Sequence, residues 1–218
     1  MKKHLLLLAL MLFATAPIHA SETLIPLSDW ELIGDGFTAP VDDAVLVSEY
    51  PGSTGVMLVS PHKYGNEVTV RFDIMPLNPE TVLVAILAAS NASEDASLGF
   101  PDNYDGSIVH LLEEVDSYFF AFHNAAHNRT PFVRKHPFIK GESQDLDVFD
   151  FNVMTTQWHH IDVTTTGRGA IDMKVDGETV LSAVDENPLP GGKVILRLRG
   201  TKTHTATALI RDLKIDED

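Results

Sequence analysis

Short segments rich in valine, isoleucine, threonine and phenylalanine recur along the chain, and turn-forming glycine, proline, asparagine and aspartate separate them. Runs of this composition predict β-strands. The predicted strands are residues 55–60, 67–75, 82–88, 107–112, 118–123, 159–164, 170–175, 193–199 and 207–215. No stretch keeps a helical hydrophobic period for more than about one turn, so the pattern predicts an all-β protein.

The sharpest local pattern lies in the last third of the chain. His159 and His160 are adjacent in a predicted strand and so face opposite sides, which argues against a two-histidine metal site. Residues 172–181 alternate like a hairpin, and their Asp176 and Gly177 pair suits a tight type I′ turn. Two further strands, 193–199 and 208–215, complete the pattern.

This order of elements resembles the concanavalin-A-like lectin/glucanase jelly rolls over residues 158–215. The resemblance consists of a strand led by Trp158, a Val-Asp-Gly hairpin, a glycine-led strand and a closing Ile-Arg-Asp-Leu-Lys-Ile strand. It implies a two-sheet antiparallel jelly-roll sandwich.

A narrower resemblance lies in residues 117–138. There an aromatic-rich strand leads into Arg134-Lys135-His136-Pro137. It resembles an uncharacterised bacterial family that includes small proteins of rhamnogalacturonan-utilisation gene clusters, in which an R-K-x-P segment follows such a strand. This resemblance implies a jelly roll in a sugar-related context and brings no catalytic residues with it.

The first twenty residues have the three-part pattern of a secretory signal peptide. Lys2 and Lys3 precede the apolar run 5–13, and small residues follow as far as Ala20. We expect cleavage after Ala20, a periplasmic or secreted location, and a single jelly-roll domain over residues 21–218. Because the apolar run is shorter than the roughly 20 residues that cross a bilayer, no membrane insertion is expected. The sequence has no cysteine, so packing rather than disulfides must stabilise the domain.

The charge of the chain limits its partners. The formal net charge is −15, and without Lys2 and Lys3 it is −17, so most of the surface repels nucleic acid and anionic membranes. Between Asp116 and Glu142, however, there is no acidic residue. That segment carries seven arginine, lysine and histidine side chains, namely His123, His127, Arg129, Arg134, Lys135, His136 and Lys140.

Two interpretations of this basic segment remain open. Its arginines suit an anionic group such as a uronate carboxylate or a sulfate, because the guanidinium fork matches such groups. Alternatively, its cations pair with the acidic residues of segment 142–150.

Strand 118–123 is the predicted floor of a binding site. Tyr118 and Phe120 point to one face and Phe119 and His123 to the other, so one set must fill the core while the other could form a sugar-facing floor. The alternative is that both sets are packed inside the protein. The candidate substrate-binding residues are Tyr118, Phe120, His123, Asn124, His127, Arg129, Arg134 and Lys135.

The function that the sequence favours is binding of an oligo- or polysaccharide, including acidic ones, by an exported protein of polysaccharide utilisation. The alternative is an enzyme on the same face. In a β-elimination lyase Arg134 would neutralise a uronate carboxylate, and His123 or Tyr118 would take the proton. A glycoside hydrolase is less favoured, because Glu114-Val115-Asp116 lacks the glutamate that should follow it. A third alternative is a protein-interaction module of the cell envelope.

No cofactor is expected from the sequence. The oxygen-rich segments 102–106 and 145–150 could hold a structural calcium ion, but they lack the spacing of an EF-hand, so solvated turns are the preferred interpretation. The pattern leaves the oligomeric state and the identity of the saccharide open.

Overall fold

The computed structural model describes residues 25–91, 97–123, 131–137, 145–149, 153–201 and 203–217. Within these residues, a short 3-10 helix (Leu27–Asp29) precedes fourteen strands and one α-helix. In chain order these are β1 (Glu31–Gly34), β2 (Gly36–Val41), β3 (Ala44–Glu49), β4 (Val56–Tyr64), β5 (Val68–Pro76), β6 (Val82–Ser90), α1 (Ile108–Glu113), β7 (Asp116–His123), β8 (Phe132–His136), β9 (Asp145–Val148), β10 (His159–Thr165), β11 (Ala170–Val175), β12 (Glu178–Val184), β13 (Gly192–Arg199) and β14 (Thr207–Glu217).

The strands form two sheets whose described pairings are all antiparallel. Sheet 1 has the order β1-β4-β13-β6-β7-β8-β9, and sheet 2 has the order β12-β11-β10-β5-β14-β3-β2. This confirms the predicted all-β sandwich of two antiparallel sheets. Among the described residues, no helix is long and apolar enough to span a bilayer.

A hydrophobic core fills the space between the two sheets. In β5 buried and half-buried positions alternate along the whole strand, as expected for a strand with one face on the core. Phe72 of β5 and Phe122 of β7 are both fully buried, and their ring centroids lie 6.3 Å apart across the sandwich. Packing of this kind replaces the disulfides that the chain cannot form.

The outer face of sheet 1 is covered by a second apolar layer. Ile86, Phe119 and Ile195 lie on this face, and Leu111 of α1 and Val115 pack over them. As a result, β6 is buried on both faces, which explains why its sequence is continuously apolar rather than alternating.

The hairpin predicted for residues 172–181 is confirmed. β11 pairs with β12, and the turn residues Asp176 and Gly177 have φ values of 53° and 83°. Positive φ at both positions is what a type I′ turn requires.

The strand predicted at 107–112 is wrong, because these residues form α1. The Ser107 hydroxyl accepts a hydrogen bond from the Val109 N–H and so caps the helix. Ile108, Leu111 and Leu112, at helical spacing, face the outer layer of sheet 1.

No strand is predicted between residues 130 and 150, but the described residues there form β8 and β9. β1, β2 and β3 also lie in a part of the chain for which no strand is predicted.

Candidate functional site

Cross-strand pairing aligns side chains from five neighbouring strands on the outer face of sheet 1. Arg197 of β13 pairs with Val84 of β6, and Val84 pairs with Ala121 of β7. Ala121 pairs in turn with Phe132 of β8, and Phe132 with Val148 of β9. Directly paired residues project to the same face. The row therefore places one guanidinium at the end of an apolar strip.

A neighbouring row supplies a second guanidinium. Ile86 pairs with Phe119, Phe119 with Arg134, and Arg134 with Asp145. Arg134 donates a hydrogen bond from Nε to the Asp145 carboxylate, and its Cζ lies 4.2 Å from the centroid of the Phe132 ring. The pairing of Arg134 with segment 142–150 is one of the two interpretations that the sequence leaves open.

These rows border a pocket of about 370 Å³, which we call the cationic pocket. Ile108 and Leu112 of α1 close one side of it, and Arg199 at the end of β13 lines it as well. Its apolar lining consists of Val82, Val84, Ile108, Leu112, Phe119, Ala121, Phe132 and Val148, and its polar lining of Arg134, His136, Asp145, Arg197 and Arg199.

Arg197 is the most buried of these charged groups, with 2% of its surface exposed. Its Nη2 donates to the carbonyl oxygens of Thr54, at 2.9 Å, and Gly106, at 3.1 Å. Its Nε has no hydrogen-bond partner among the described residues. Burial lowers the pKa of Arg197 to about 10, so the guanidinium stays protonated at neutral pH. Among the described residues this buried cation is bonded to carbonyls alone and has no bonded counter-charge.

The position of this guanidinium depends on a glycine. A Cβ added to Gly55 would lie 2.4 Å from Nη2 of Arg197, and Gly55 has a φ of +136°. The residue before β4 therefore has to be glycine both for space and for its backbone conformation.

The pocket is cationic at neutral pH. Burial and the nearby Arg134 lower the pKa of His136 to about 4, so its imidazole is neutral there. Among the described lining residues three arginines face one carboxylate, that of Asp145, which leaves a formal charge of +2. The pocket thus has the opposite sign to the protein as a whole.

Two of the residues predicted to bind saccharide lie on the other face of β7. Tyr118 and Phe120 are 2% and 0% exposed in the core between the sheets. The Tyr118 hydroxyl donates to Asp185 at 2.7 Å and accepts from the Leu189 N–H at 3.0 Å. Burial raises the pKa of Tyr118. Neither ring lines the cationic pocket, so the predicted stacking role and a role of Tyr118 as proton acceptor do not fit their positions.

His123 also faces the core, because of a β-bulge. Leu83 pairs with His123 while the next residue along β6 pairs with Ala121, so Phe122 is the extra residue. The bulge turns His123 from the face of Ala121 to the face of Leu83. There Nδ1 of His123 bonds the Thr81 carbonyl, and burial lowers its pKa. The predicted catalytic role of His123 does not fit this position either.

The remaining predicted site residues divide into three groups. Arg134 lines the cationic pocket, and its role in binding saccharide stays a prediction. Lys135 points to the opposite side of β8, where its Nζ lies 2.7 Å from an Asp185 oxygen and 2.5 Å from the Asn187 carbonyl. Asn124, His127 and Arg129 lie outside the described residues.

Sequence reasoning missed Arg197 and Arg199. The two arginines are two residues apart in β13, so they lie on the same face of this strand as Ile195. The rest of the strand is mostly apolar. A charge inside a strand of this kind was the signal that could have indicated a buried functional group.

The hydrolase-like carboxylates lie away from the pocket lining. Glu114 directly follows α1, with its side chain 67% exposed and its carboxylate 3.2 Å from Nδ1 of His110, and Asp116 begins β7. Within the described part of the chain, no group of three or more His, Asp or Glu side chains could hold a metal ion. In segment 102–106, the Asp105 carboxylate accepts a hydrogen bond from the Ser107 N–H at 2.9 Å.

No protein-family model and no curated protein matches this chain. Among solved structures, it is similar to a Bacillus subtilis protein of unknown function with a galectin-like fold, with a TM-score of 0.72 and 15% identity over 88% of this chain and 90% of that chain. It is also similar to the carbohydrate-binding module CBM66 from Bacillus subtilis, with a TM-score of 0.57 and 15% identity over 92% and 100% of the two chains.

A third similar structure is the Bacillus licheniformis β-glucanase, with a TM-score of 0.57 and 13% identity over 87% of this chain and 92% of that chain. At these identities the likeness concerns the fold alone. The narrower resemblance to proteins of rhamnogalacturonan-utilisation clusters stays a prediction. The broader expectation from residues 158–215 is confirmed, and the chain has the concanavalin-A-like jelly-roll fold.

Proposed function

We propose that the protein is an exported carbohydrate-binding jelly-roll protein that holds an acidic sugar unit in the cationic pocket. The observation that carries the proposal is Arg197, a buried guanidinium with an unpartnered Nε among the described residues. Burying a charge without a bonded counter-charge is unfavourable, so such an arrangement is expected where a ligand supplies the missing anion.

The pocket has a place for each part of an acidic sugar, namely its carboxylate and the apolar face of its ring. The carboxylate would meet the guanidinium fork of Arg197, and Arg199 lies exposed at the end of the same strand face. Arg134, at the side of the pocket opposite Arg197, is already bonded to Asp145, so it contributes mainly a positive electrostatic potential. The apolar side chains of the lining, such as Val84 and Val148, offer a surface to the C–H face of a pyranose, whereas one face of the Phe132 ring is already covered by the Arg134 guanidinium.

The fold is compatible with this function without assigning it. A carbohydrate-binding module and a β-glucanase are among the proteins with a similar fold, and both are named for saccharides. One fold hosts many activities, so the proposal depends on the pocket and not on these likenesses.

The predicted signal at residues 1–20 supports an exported protein that meets polysaccharide in the periplasm or outside the cell. With a formal charge of −17 after removal of Lys2 and Lys3, the surface as a whole repels acidic polymers. Binding would then be directed to the cationic pocket, whose sign is opposite to that of the protein as a whole.

Elimination chemistry is the second candidate function. His136 lies beside Arg134 as an unprotonated imidazole, and a lyase needs a base together with a cation that neutralises the uronate carboxylate. Its lowered pKa makes it a weak base, which ranks elimination below binding. Hydrolysis by two carboxylates has less support, because Asp145 is the one carboxylate among the described lining residues and it is bonded to Arg134.

The test is calorimetric titration of the purified protein with oligogalacturonate and with the uncharged galactose oligomer of equal length. We expect binding of the acidic ligand alone, weakened about tenfold by Arg199→Gln. The matched control is Arg168→Gln, which removes an exposed arginine from the turn between β10 and β11 and should leave affinity unchanged.

The ultraviolet absorbance of unsaturated product, followed in the same samples, separates a binding protein from a lyase. Product that is lost in His136→Gln would move the proposal to the lyase. Equal affinity for charged and uncharged oligomers would contradict recognition of an anionic group by the cationic pocket. Absence of binding to either would favour the protein-interaction module.

A further inference from the structure

A second cleft adjoins the cationic pocket at one end of the sandwich. It has a volume of about 500 Å³ and lies between the turn that follows β3 and the loop between β13 and β14. Arg199 lines both cavities. We call this second cavity the end cleft.

The walls of the end cleft are held together by a buried carboxylate. Glu49, 5% exposed, accepts hydrogen bonds at Oε2 from the N–H groups of Gly200, at 2.6 Å, and Ala206, at 2.7 Å. These two bonds fix the loop between β13 and β14 to the end of β3. The cleft is therefore formed before any ligand arrives, which lowers the entropy cost of binding.

The end cleft is also coupled to the cationic pocket. The carbonyl of Thr54, a residue of the cleft, accepts a hydrogen bond from Nη2 of Arg197, which lines the pocket. The distance between the two cavities is thus set by a direct contact as well as by the shared Arg199.

The chemistry of the end cleft differs from that of the pocket. Its described lining carries hydroxyl groups on Ser53, Thr201 and Thr203. The Ser53 and Thr201 hydroxyls already donate to the Gly55 carbonyl and the Glu80 carboxylate, so their remaining lone pairs can accept from sugar hydroxyls. The Tyr50 ring is 52% exposed and is backed by Phe37, with ring centroids 5.6 Å apart. A supported, exposed ring beside hydroxyl groups is suited to stacking on a pyranose.

We infer that the cationic pocket and the end cleft form one groove that binds at least two adjoining units of an acidic polysaccharide chain. The acidic unit lies in the pocket, and the chain passes Arg199 so that a neighbouring unit stacks on Tyr50. The inference rests on the proposed function, because it takes the occupant of the pocket as an acidic sugar. It adds that the ligand is a chain segment rather than a single sugar.

The test is a titration with mono-, di-, tri- and tetragalacturonate on the wild-type protein, Tyr50→Ala and Tyr50→Phe. We expect affinity to rise about tenfold or more from the monomer to the longest oligomer. Tyr50→Ala should remove most of that rise while leaving monomer affinity unchanged. Tyr50→Phe keeps the ring and should keep the rise.

The outcomes separate the two proposals. If monogalacturonate binds and longer oligomers bind no better, the groove is refuted, while binding of an acidic sugar in the cationic pocket stands. If Tyr50→Ala weakens every length equally, Tyr50 does not mark a second unit and the inference is again overturned. If no galacturonate of any length binds, the proposed function is refuted, and the inference of a groove is refuted as well because it rests on that function.

Discussion

Replacing Arg197 by methionine should separate ligand binding from stability. Methionine has a similar length and fills irregular apolar space, but it carries no charge and no donor. We expect Arg197→Met to weaken acidic saccharide binding about tenfold to a hundredfold, because a charge-assisted hydrogen bond contributes roughly 1.5–3 kcal/mol. We also expect the free energy of unfolding to change by about 1 kcal/mol or less.

The small change in stability follows from two opposing effects. The lowering of the Arg197 pKa to about 10 corresponds to a penalty of about 3 kcal/mol on its charged form. Because a lowered pKa of a base penalises the protonated form at every pH below that value, the penalty is present in full at neutral pH. Methionine removes it, but the carbonyls of Thr54 and Gly106 then lose their donor, which costs about 1–2 kcal/mol each.

The assay is urea unfolding followed by circular dichroism, with the affinity for oligogalacturonate measured on the same preparations. A loss of more than about 3 kcal/mol would refute the reasoning, since the guanidinium would then be holding the fold together. Unchanged affinity would refute the assignment of Arg197 to the ligand. Arg197→Lys, which keeps the charge without the fork, should retain part of the affinity.

Three further predictions concern the surroundings of the site. Tyr118→Phe should cost about 1–3 kcal/mol of unfolding free energy, because the Leu189 N–H loses its acceptor, and calorimetry should show unchanged saccharide affinity. In the folded protein the pKa of His136 is about 4, below its ordinary value, so between about pH 6.5 and pH 4 the unfolded chain takes up a proton that the folded protein does not. The free energy of unfolding should therefore fall as the pH is lowered through this range, and the urea midpoint should fall less steeply in His136→Gln. Gly55→Ala should destabilise the protein by about 1–3 kcal/mol and weaken acidic saccharide binding, because its Cβ would collide with the Arg197 guanidinium; an unfolding midpoint equal to wild type would contradict this.

Most strands could be predicted from the sequence, because a strand with one face on the core alternates apolar and polar residues. β5 alternates residue by residue, and the Asp176 and Gly177 turn has a composition that few other turns share. The error at residues 107–112 has a physical cause. Ile108, Leu111 and Leu112 are apolar because α1 packs on sheet 1, and six residues are too few to show a helical period.

The candidate site was harder to predict because it depends on registers between distant strands. Simple alternation puts His123 on the face of Phe119, but the bulge at Phe122 turns it towards the core, and bulges leave no reliable mark in the sequence. Arg134 could be found from the local charge pattern. Arg197 could be suspected from its place inside a mostly apolar strand, but its surroundings could not be predicted, because they come from residues 54 and 106, which lie far away along the chain.

The most direct test of the central claim is the side-chain NMR signal of the Arg197 Nε–H group during titration with galacturonate and with galactose. Since this N–H has no partner among the described residues, a bound carboxylate should move its resonance strongly. The account predicts a saturable shift with galacturonate and none with galactose, absent in Arg197→Met. A resonance that stays in place while other signals report galacturonate binding would contradict the claim that this pocket recognises the acidic group.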